Sequence, residues 1–333
     1  MTIQTMQQLK KEVKAIGMPW PKLQPLLPDW WKDVSDYPAG IVELRGFIAK
    51  YFGLEIDQTH GNLCLRDHSS VCFKTKISTD QRKLAPNRSL LTSVARQVAL
   101  AATSPWAGGI PPAIALRDSI LSSGRPWVGF EELVEVCWQY GVPVICSPEL
   151  PFPYKMEGMA MFCLGRPVIA LSKKPDKPGW ALFTLAHEIG HLALDHLASE
   201  DGSALLDETI SVDDTNNDDK ECFASQYAVT LLTGGAEFKI SDNIVSAKSM
   251  VQSATSKGRE WKIDPAHLVL NAVHHTKSTG GKNYYPLMND ILDALNPGQT
   301  ASSICRQLLH RYVDLTILPE ESVAFLERIG LLK

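Results

Sequence analysis

The spacing of apolar residues along the chain predicts helices towards both ends and a short β-containing segment between them. In residues 40–57, apolar side chains recur with the period of a helix, and residues 1–60 as a whole contain further helix-compatible stretches broken by proline and tryptophan. The residues after 235 are again helical in pattern. We therefore expect a mostly helical chain that contains a limited amount of sheet.

The pattern changes at about residue 126. The stretch "FEELVEVCWQYG" predicts a helix that ends at Gly141, and "VPVICS" predicts a short buried strand. Two strand-like runs in "GMAMFCLGRPVIALS" meet at Gly165 and Arg166, which predicts a hairpin. The fold class expected from these elements is α+β, mostly helical with a small β-sheet.

Two further helices are predicted beyond the hairpin. The first is the strongly apolar stretch 180–197, and the second covers about 218–232 and ends before Gly234. The connection between them, residues 198–220, is acidic and polar, so it is predicted to be a loop whose acidic side chains are solvated.

Composition and charge exclude several classes of protein. The chain has 333 residues, of which 44% are hydrophobic and 21% are charged, as in a globular protein with a sizeable core. The net charge is -4, whereas nucleic-acid-binding proteins are usually basic, so direct binding to nucleic acid is not expected. The N-terminal residues lack the apolar segment of a secretory signal, and no run of about 18 apolar residues predicts a membrane span.

Seven cysteines are scattered along the sequence and form no C-x-x-C motif. This pattern is typical of reduced thiols in a cytoplasmic protein rather than of a disulfide framework, and it excludes a zinc site built from a cysteine cluster. We therefore expect a cytoplasmic location. The cysteines are Cys64, Cys72, Cys137, Cys146, Cys163, Cys222 and Cys305.

The apolar helix "WALFTLAHEIGHLALDHL" carries ionisable groups in its middle, where His187, Glu188 and His191 form the pattern H-E-x-x-H. The two histidines lie one helical turn apart, about 6 Å along the axis, so both imidazoles can reach one tetrahedral zinc ion. Glu188 points to the neighbouring face, where it can hold a water molecule without binding the metal. The alternative is a pair of core histidines without a metal, but unpaired buried polar groups cost about 1–3 kcal/mol each.

A catalytic zinc site needs a third protein ligand and an open fourth position. One class of zinc peptidases supplies a histidine six residues after the second histidine and a glycine three residues after it. Those positions are Leu197 and Leu194 here, so that class is excluded. His196 is one residue short and lies about 140° from His191 on a continuing helix. We interpret His196 as a surface residue or as a residue that supports a ligand from outside.

The other common third ligand is a carboxylate from a second helix. Glu221 begins the apolar stripe of the next predicted helix and lies in its first turn, where the helix dipole favours negative charge. An ordinary surface glutamate is the alternative. Asp195 is a competing carboxylate four residues after His191, and we interpret it as an acceptor for a histidine ring N–H. The stripe that Glu221 begins continues through Ala224, Ala228 and Leu231.

These residues resemble the ImmA/IrrE family of zinc metallopeptidases, in which an H-E-L/I-G-H helix precedes a helix of the type E-x-x-A-x-x-F-A-x-x-L-L-x-P. The chain has "FTLAHEIGHLALDH" followed by "ECFASQYAVTLL", with tyrosine in place of phenylalanine. The resemblance implies a gluzincin-like core, in which a small β-sheet packs with the H-E-x-x-H helix and a second ligand-bearing helix. It implies His187, His191 and Glu221 as zinc ligands and Glu188 as the general base.

The resemblance also implies a function and a domain division. The expected function is a zinc-dependent endopeptidase that cleaves one regulatory partner, such as a helix-turn-helix transcriptional repressor, in a response to stress, DNA damage or a mobile element. The metallopeptidase core is expected at 126–235, flanked by a mainly helical N-terminal region (1–125) that could bind the partner and a helical C-terminal region (236–333). The sequence departs from the family at "LLTGG", where the usual proline is absent.

Two alternatives keep this scaffold without that activity: a latent or non-cleaving regulatory protein, and a component of toxin–antitoxin or phage-defence systems. Within the peptidase hypothesis, the stretch "MAMFCL" (159–164) is the candidate sheet edge for aligning an extended substrate. The candidates for stabilising the oxyanion are Tyr227, His274 and His275, although a structural role is favoured for each.

Overall fold

The structure is a computed structural model, and it describes residues 5–66, 81–153, 156–199, 204–207, 219–235, 246–278 and 285–333. The expected fold class is confirmed, because most of the described elements are helices and the strands form two small sheets. No helix in these ranges combines the length and apolar character that a membrane span requires.

The N-terminal region consists of helices and one small hairpin. The helix at Pro38–Tyr51 carries the helical spacing seen in the sequence and buries its apolar face. Strands β1 (Leu54–Ile56) and β2 (Leu63–Leu65) pair in antiparallel fashion. The helices of this region are α1 (Met6–Ala15), α2 (Trp20–Leu23), α3 (Trp31–Val34), α4 (Pro38–Tyr51), α5 (Gln81–Ala101) and α6 (Ala113–Ser122), with a 3-10 turn at Gln24–Leu26.

The central region contains the second sheet and the two helices of interest. Its helices are α7 (Phe130–Gln139), α8 (Pro178–Ala193) and α9 (Asp219–Thr233). Its strands are β3 (Val144–Cys146), β4 (Gly158–Cys163), β5 (Arg166–Leu171) and β6 (Ala204–Asp207). The predicted helix at 218–232 is therefore present as α9. It ends at Thr233, and the next residue, Gly234, has a φ of 74°, as glycines that terminate helices often do.

The four strands lie in the order β3-β5-β4-β6. Strands β4 and β5 form the predicted hairpin, and its two-residue turn has positive φ at both Leu164 (52°) and Gly165 (79°), as the right-handed twist of paired strands requires. Strand β3 runs parallel to β5. The sheet is therefore mixed, with β4 in its interior.

Two predictions about this sheet were wrong. The stretch 159–164 was expected to offer a free edge, but β4 pairs with β5 on one side and with β6 on the other. Strand β6 comes from the connection 198–220, which was expected to be a loop throughout. Its Ala-Leu-Leu sequence supplies a short run suited to a strand inside an otherwise polar segment, and the residues around it at 200–203 and 208–218 lie outside the described ranges.

The C-terminal region is helical. Its helices are α10 (Ala247–Trp261), α11 (Pro265–Ser278), α12 (Tyr285–Leu295), α13 (Ala301–Tyr312) and α14 (Glu320–Arg328), with a 3-10 turn at Leu315–Ile317. Serine and threonine side chains cap two of them: Ser246 accepts from the backbone N–H of Ser249 at the start of α10, and Thr300 accepts from that of Ser303 at the start of α13.

One large core cluster extends from Leu9 to Leu332 and includes side chains of all three predicted regions. A smaller cluster joins α10, α11 and α12. The division of the chain at residues 125 and 235 stays a prediction.

Candidate metal centre

Helix α8 is buried on nearly every side, and its polar residues are buried with it. It begins at Pro178, a residue whose fixed φ suits the first helical position, and it packs on the sheet, on α7 and on α9. The relative exposures of His187, Glu188 and His191 are 2%, 0% and 1%. Side chains of this type are seldom so deeply buried unless they pair with one another or bind a metal.

The structure brings His187, His191 and Glu221 together. The Nε2 atoms of the two histidines lie 3.0 Å apart. Glu221 places Oε2 3.2 Å from Nε2 of His187 and Oε1 3.4 Å from Nε2 of His191. Two imidazole nitrogens and one carboxylate thus converge, and among the described residues they are the group of at least three ligand-type side chains that could hold a metal ion.

This donor set fits zinc. Zinc binds histidine and carboxylate ligands at about 2.0–2.2 Å, so ligand atoms of a tetrahedral site lie about 3.3–3.5 Å apart. The measured separations of 3.0, 3.2 and 3.4 Å are close to that spacing. Burial alone would raise the pKa of the Glu221 carboxyl, but its hydrogen bonds and charge interactions with His187 and His191 hold that pKa well below its usual range. Glu221 is therefore ionised, as a metal ligand must be.

The other ring nitrogen of each histidine is also in contact. Oγ of Ser225, one turn after Glu221 on α9, lies 3.2 Å from Nδ1 of His187. Nδ1 of His196 lies 2.9 Å from Nδ1 of His191. Contacts of this kind fix the rotation and tautomer of metal-binding histidines.

The His191–His196 contact needs one proton between two Nδ1 atoms. Burial and the neighbouring His191 lower the pKa of His196 to about 4, so His196 is neutral at pH 7 and its Nδ1 can accept. Metal binding through Nε2 of His191, the atom that faces His187 and Glu221, requires the tautomer in which Nδ1–H of His191 donates to His196.

Asp195 was predicted to accept a hydrogen bond from a histidine ring, but His196 is the residue that contacts the ring of His191. Helix α8 ends at Ala193, and Asp195 has a left-handed backbone conformation (φ 52°) with an exposed side chain, for which the described chain provides no hydrogen bond. The backbone N–H of His196 then donates to the carbonyl of His191, which folds the chain back over the last turn. Projection along an ideal helix placed His196 too far away because the helix stops before that residue.

Gly190 allows the two ligand-bearing helices to approach closely. A Cβ at this position would lie 2.8 Å from the carbonyl oxygen of Ala224 and 3.2 Å from Cβ of Tyr227, both on α9. Real Cβ atoms essentially never approach within 3.0 Å, so any larger residue would push α9 away from α8. The glycine of H-E-I-G-H and the small side chain of Ala224 therefore have a packing function.

Glu188 lies between α8 and β4. A Cβ at Gly158, the first residue of β4, would overlap Oε1 of Glu188 and would lie 2.9 Å from Cγ2 of Thr184. The absence of a side chain at Gly158 thus leaves the space that the Glu188 carboxylate fills. Glu188 directly follows His187 on α8, its carboxylate lies against the start of β4, and it is not one of the three side chains that converge as candidate ligands.

The candidates for stabilising an oxyanion are placed as follows. The hydroxyl of Tyr227 donates to the backbone carbonyl of Pro111 at 2.6 Å, and burial raises its pKa, so this side chain has a structural function. His274 is half-buried on α11, and the side chain of His275 is outside the described residues. The acidic residues at 208–218 also lie outside them.

A buried aromatic contact beside the site was not anticipated. The ring of Phe183, one turn before His187, lies 6.5 Å from the His187 ring and stacks on His267 of α11 at 6.2 Å. Burial lowers the pKa of His267 to about 4, so this histidine is neutral at pH 7. The helical periodicity of 180–197 could have indicated that Phe183 and His187 share a face, but the contact with α11 depends on the tertiary fold.

Comparisons with known proteins add no assignment to this geometry. No known family model matches the chain, and no curated protein or solved structure matches it either.

Proposed function

We propose that the protein is a zinc-dependent endopeptidase. The observation that carries this proposal is the convergence of His187, His191 and Glu221 within 3.0–3.4 Å of one another, with a fully buried glutamate one residue along the same helix. Three protein ligands leave a fourth tetrahedral position for the reaction, as catalytic rather than structural zinc sites do.

Each residue of the site would have a distinct role in the reaction. The two histidines and Glu221 would hold the metal, whose contribution is Lewis-acid chemistry that polarises a carbonyl group and acidifies water. Glu188 would accept a proton from the attacking water on a carboxylate oxygen and then deliver it to the leaving amine. Ser225 and His196 keep the imidazoles oriented through their Nδ1 atoms, so little reorganisation is needed during the reaction.

The substrate that we propose follows from the sequence resemblance and not from the geometry of the site. A single regulatory partner, such as a helix-turn-helix repressor cleaved in a stress, DNA-damage or mobile-element response, follows from the resemblance of "AHEIGH" and "ECFASQYAVTLL" to the ImmA/IrrE family. A cytoplasmic location is supported by the thiols, since no disulfide joins any of the six cysteines in the described ranges.

The test combines metal analysis with proteolysis. Elemental analysis should find about one zinc per chain in the purified protein, and Glu221→Ala should lose most of it. Glu320→Ala is the matched control, because Glu320 is an exposed glutamate in the first turn of α14. Glu188→Gln should keep the zinc but cleave an unfolded test protein at least about 100-fold more slowly.

Absence of metal from protein purified under zinc-replete conditions would contradict the proposal. Zinc binding without any cleavage that depends on Glu188 would instead favour a regulatory protein that binds its partner and does not cut it.

A further inference from the structure

The start of strand β4 lies beside Glu188. Its first residue, Gly158, has no side chain, and the Glu188 carboxylate fills the space beside it. An extended peptide that paired with β4 at this end would therefore pass close to the group that we propose as the general base. Strand addition of this kind uses main-chain hydrogen bonds and accepts many sequences.

Both sides of β4 are occupied in the structure. On one side β5 pairs with it at six positions through a tight hairpin. On the other side β6 pairs with it at four positions, in antiparallel fashion, with Asp207 opposite Gly158. The end of β6 thus lies at the level of β4 that adjoins Glu188.

Strand β6 belongs to the connection between α8 and α9, the two helices that carry the candidate ligands. Within the described residues it is the outermost strand of the sheet, it is four residues long, and it pairs on one side only. Edge strands this short are among the least stable parts of a sheet.

The ligand-bearing helices are held together by contacts that do not include β6. Gly190 packs against Ala224, and Arg117 of α6 donates to the carbonyl oxygens of Leu231 and Leu232 at the end of α9. Departure of β6 from β4 would therefore leave both the metal ligands and their supporting contacts in place.

We infer that β6 occupies the edge at which an extended peptide substrate pairs with β4, so that the protein holds its own chain in the substrate position until β6 is displaced. This inference rests on the proposed function and deepens it. The expected substrate is an extended segment with a free backbone on one edge, and the sequence "ALLD" of β6 is a first model for it. Folded proteins without such a segment should not be cut.

The first experiment measures hydrogen exchange of the unmodified protein. Successive N–H groups of β4 point alternately to its two neighbours. If β6 leaves readily, the β4 amides that point to β6 should exchange at least about tenfold faster than those that point to β5. Equal protection of the two sets would show that β6 is a permanent strand, and the inference would be overturned.

The second experiment uses the synthetic peptide "SALLDE", the sequence of residues 203–208, as a fluorescent probe on zinc-loaded protein that carries Glu188→Gln. The double substitution Leu205→Pro and Leu206→Pro removes two successive backbone N–H groups, one of which points to β4, and the two proline rings disfavour strand pairing. If β6 covers the edge in nine molecules of ten, freeing it should tighten peptide binding about tenfold. Ala198→Pro is the matched control, since Ala198 is an exposed residue of the same connection outside β6.

Binding that is no tighter in the double-proline variant, or failure of that variant to fold, would contradict the inference, because β6 would then be either irrelevant or an integral strand. Zinc content and cleavage are measured on the same samples. If the unmodified protein contains no zinc or cleaves nothing, the proposed function is contradicted. The tests of β6 are read separately, because hydrogen exchange and peptide affinity do not depend on catalysis.

Discussion

Gly190 of α8 lies directly against the backbone of Ala224 of α9, so closely that a Cβ on Gly190 would be 2.8 Å from the carbonyl oxygen of Ala224. This contact brings Glu221, one turn earlier on α9, within hydrogen-bond distance of His187 on α8. The geometry of the candidate metal centre therefore depends on the small size of a residue that is not itself a ligand.

The substitution Gly190→Ala should weaken the metal site and the fold together. Overpacking of a core contact costs about 1–3 kcal/mol, and the same displacement should move Glu221 away from the histidines. We expect a lower melting temperature and zinc affinity at least about tenfold lower, a loss typical of disturbed ligand support. Calorimetry and competition with a zinc chelator measure these two quantities.

Gly46→Ala is the matched control for that experiment, because Gly46 is also a helical glycine but a Cβ there would meet no atom within 4 Å. The control should raise stability by about 0.5–1 kcal/mol through the lower flexibility of the unfolded chain. Equal zinc affinity in both variants would show that the approach of α9 to α8 is not needed for binding.

A different result is expected for Gly158→Ala on β4. The new methyl group would overlap Oε1 of Glu188 and approach Cγ2 of Thr184, whereas none of the three candidate ligands is among the nearest neighbours of this position, so they should stay in place. Zinc content should be unchanged and cleavage of an unfolded protein should fall about 100-fold, because displacement of a catalytic group by about 1 Å can have that effect. Loss of zinc in this variant would mean that Glu188 supports the ligands rather than the reaction.

The sequence was most informative where a periodic pattern has a direct structural meaning. Two histidines four residues apart on an apolar helix must share a face, and Glu221 at the start of an apolar stripe must point towards the core, so all three candidate ligands could be predicted. The hairpin was predictable for a similar reason, since two apolar runs flank a two-residue turn that contains Gly165.

The remaining features depend on where elements end and on what they meet. His196 reaches His191 because α8 ends at Ala193 and the chain turns back. A helical projection assumes that the helix continues, so it cannot predict this contact. Strand β6 has a weak local signal, and it becomes a strand by pairing with β4 far from it in sequence. The packing of Gly190 and Gly158 likewise depends on partners that the local sequence does not identify.

The contact of His196 with His191 leads to a prediction that separates His196 from Asp195. Loss of a group that supports a ligand from outside typically costs 10–100-fold in metal affinity. We expect a decrease of about that size for His196→Ala, measured by competition with a zinc chelator. Asp195→Asn should have no effect, because asparagine tolerates the left-handed conformation at this position and the carboxylate makes no hydrogen bond within the described chain. If zinc affinity falls in Asp195→Asn but not in His196→Ala, Asp195 and not His196 supports the His191 ring.

The buried His267 should make the fold sensitive to acid. Burial lowers its pKa in the folded protein to about 4, below the ordinary value of 6.5, so between these values the unfolded chain binds more protons than the folded one. Stability should therefore be fully present above pH 6.5 and decrease as the pH falls towards 4. The shift corresponds to a loss of roughly 3 kcal/mol.

Urea unfolding of the wild type and of His267→Gln across that pH range measures this contribution. The slope of the unfolding free energy against pH should be smaller in the variant by up to about 1.4 kcal/mol per pH unit. Burial raises the pKa of Asp264 to about 6, which gives a slope of opposite sign between pH 4 and 6, but both proteins retain Asp264 and the difference isolates His267. Identical slopes in the two proteins would show that folding does not change the pKa of His267.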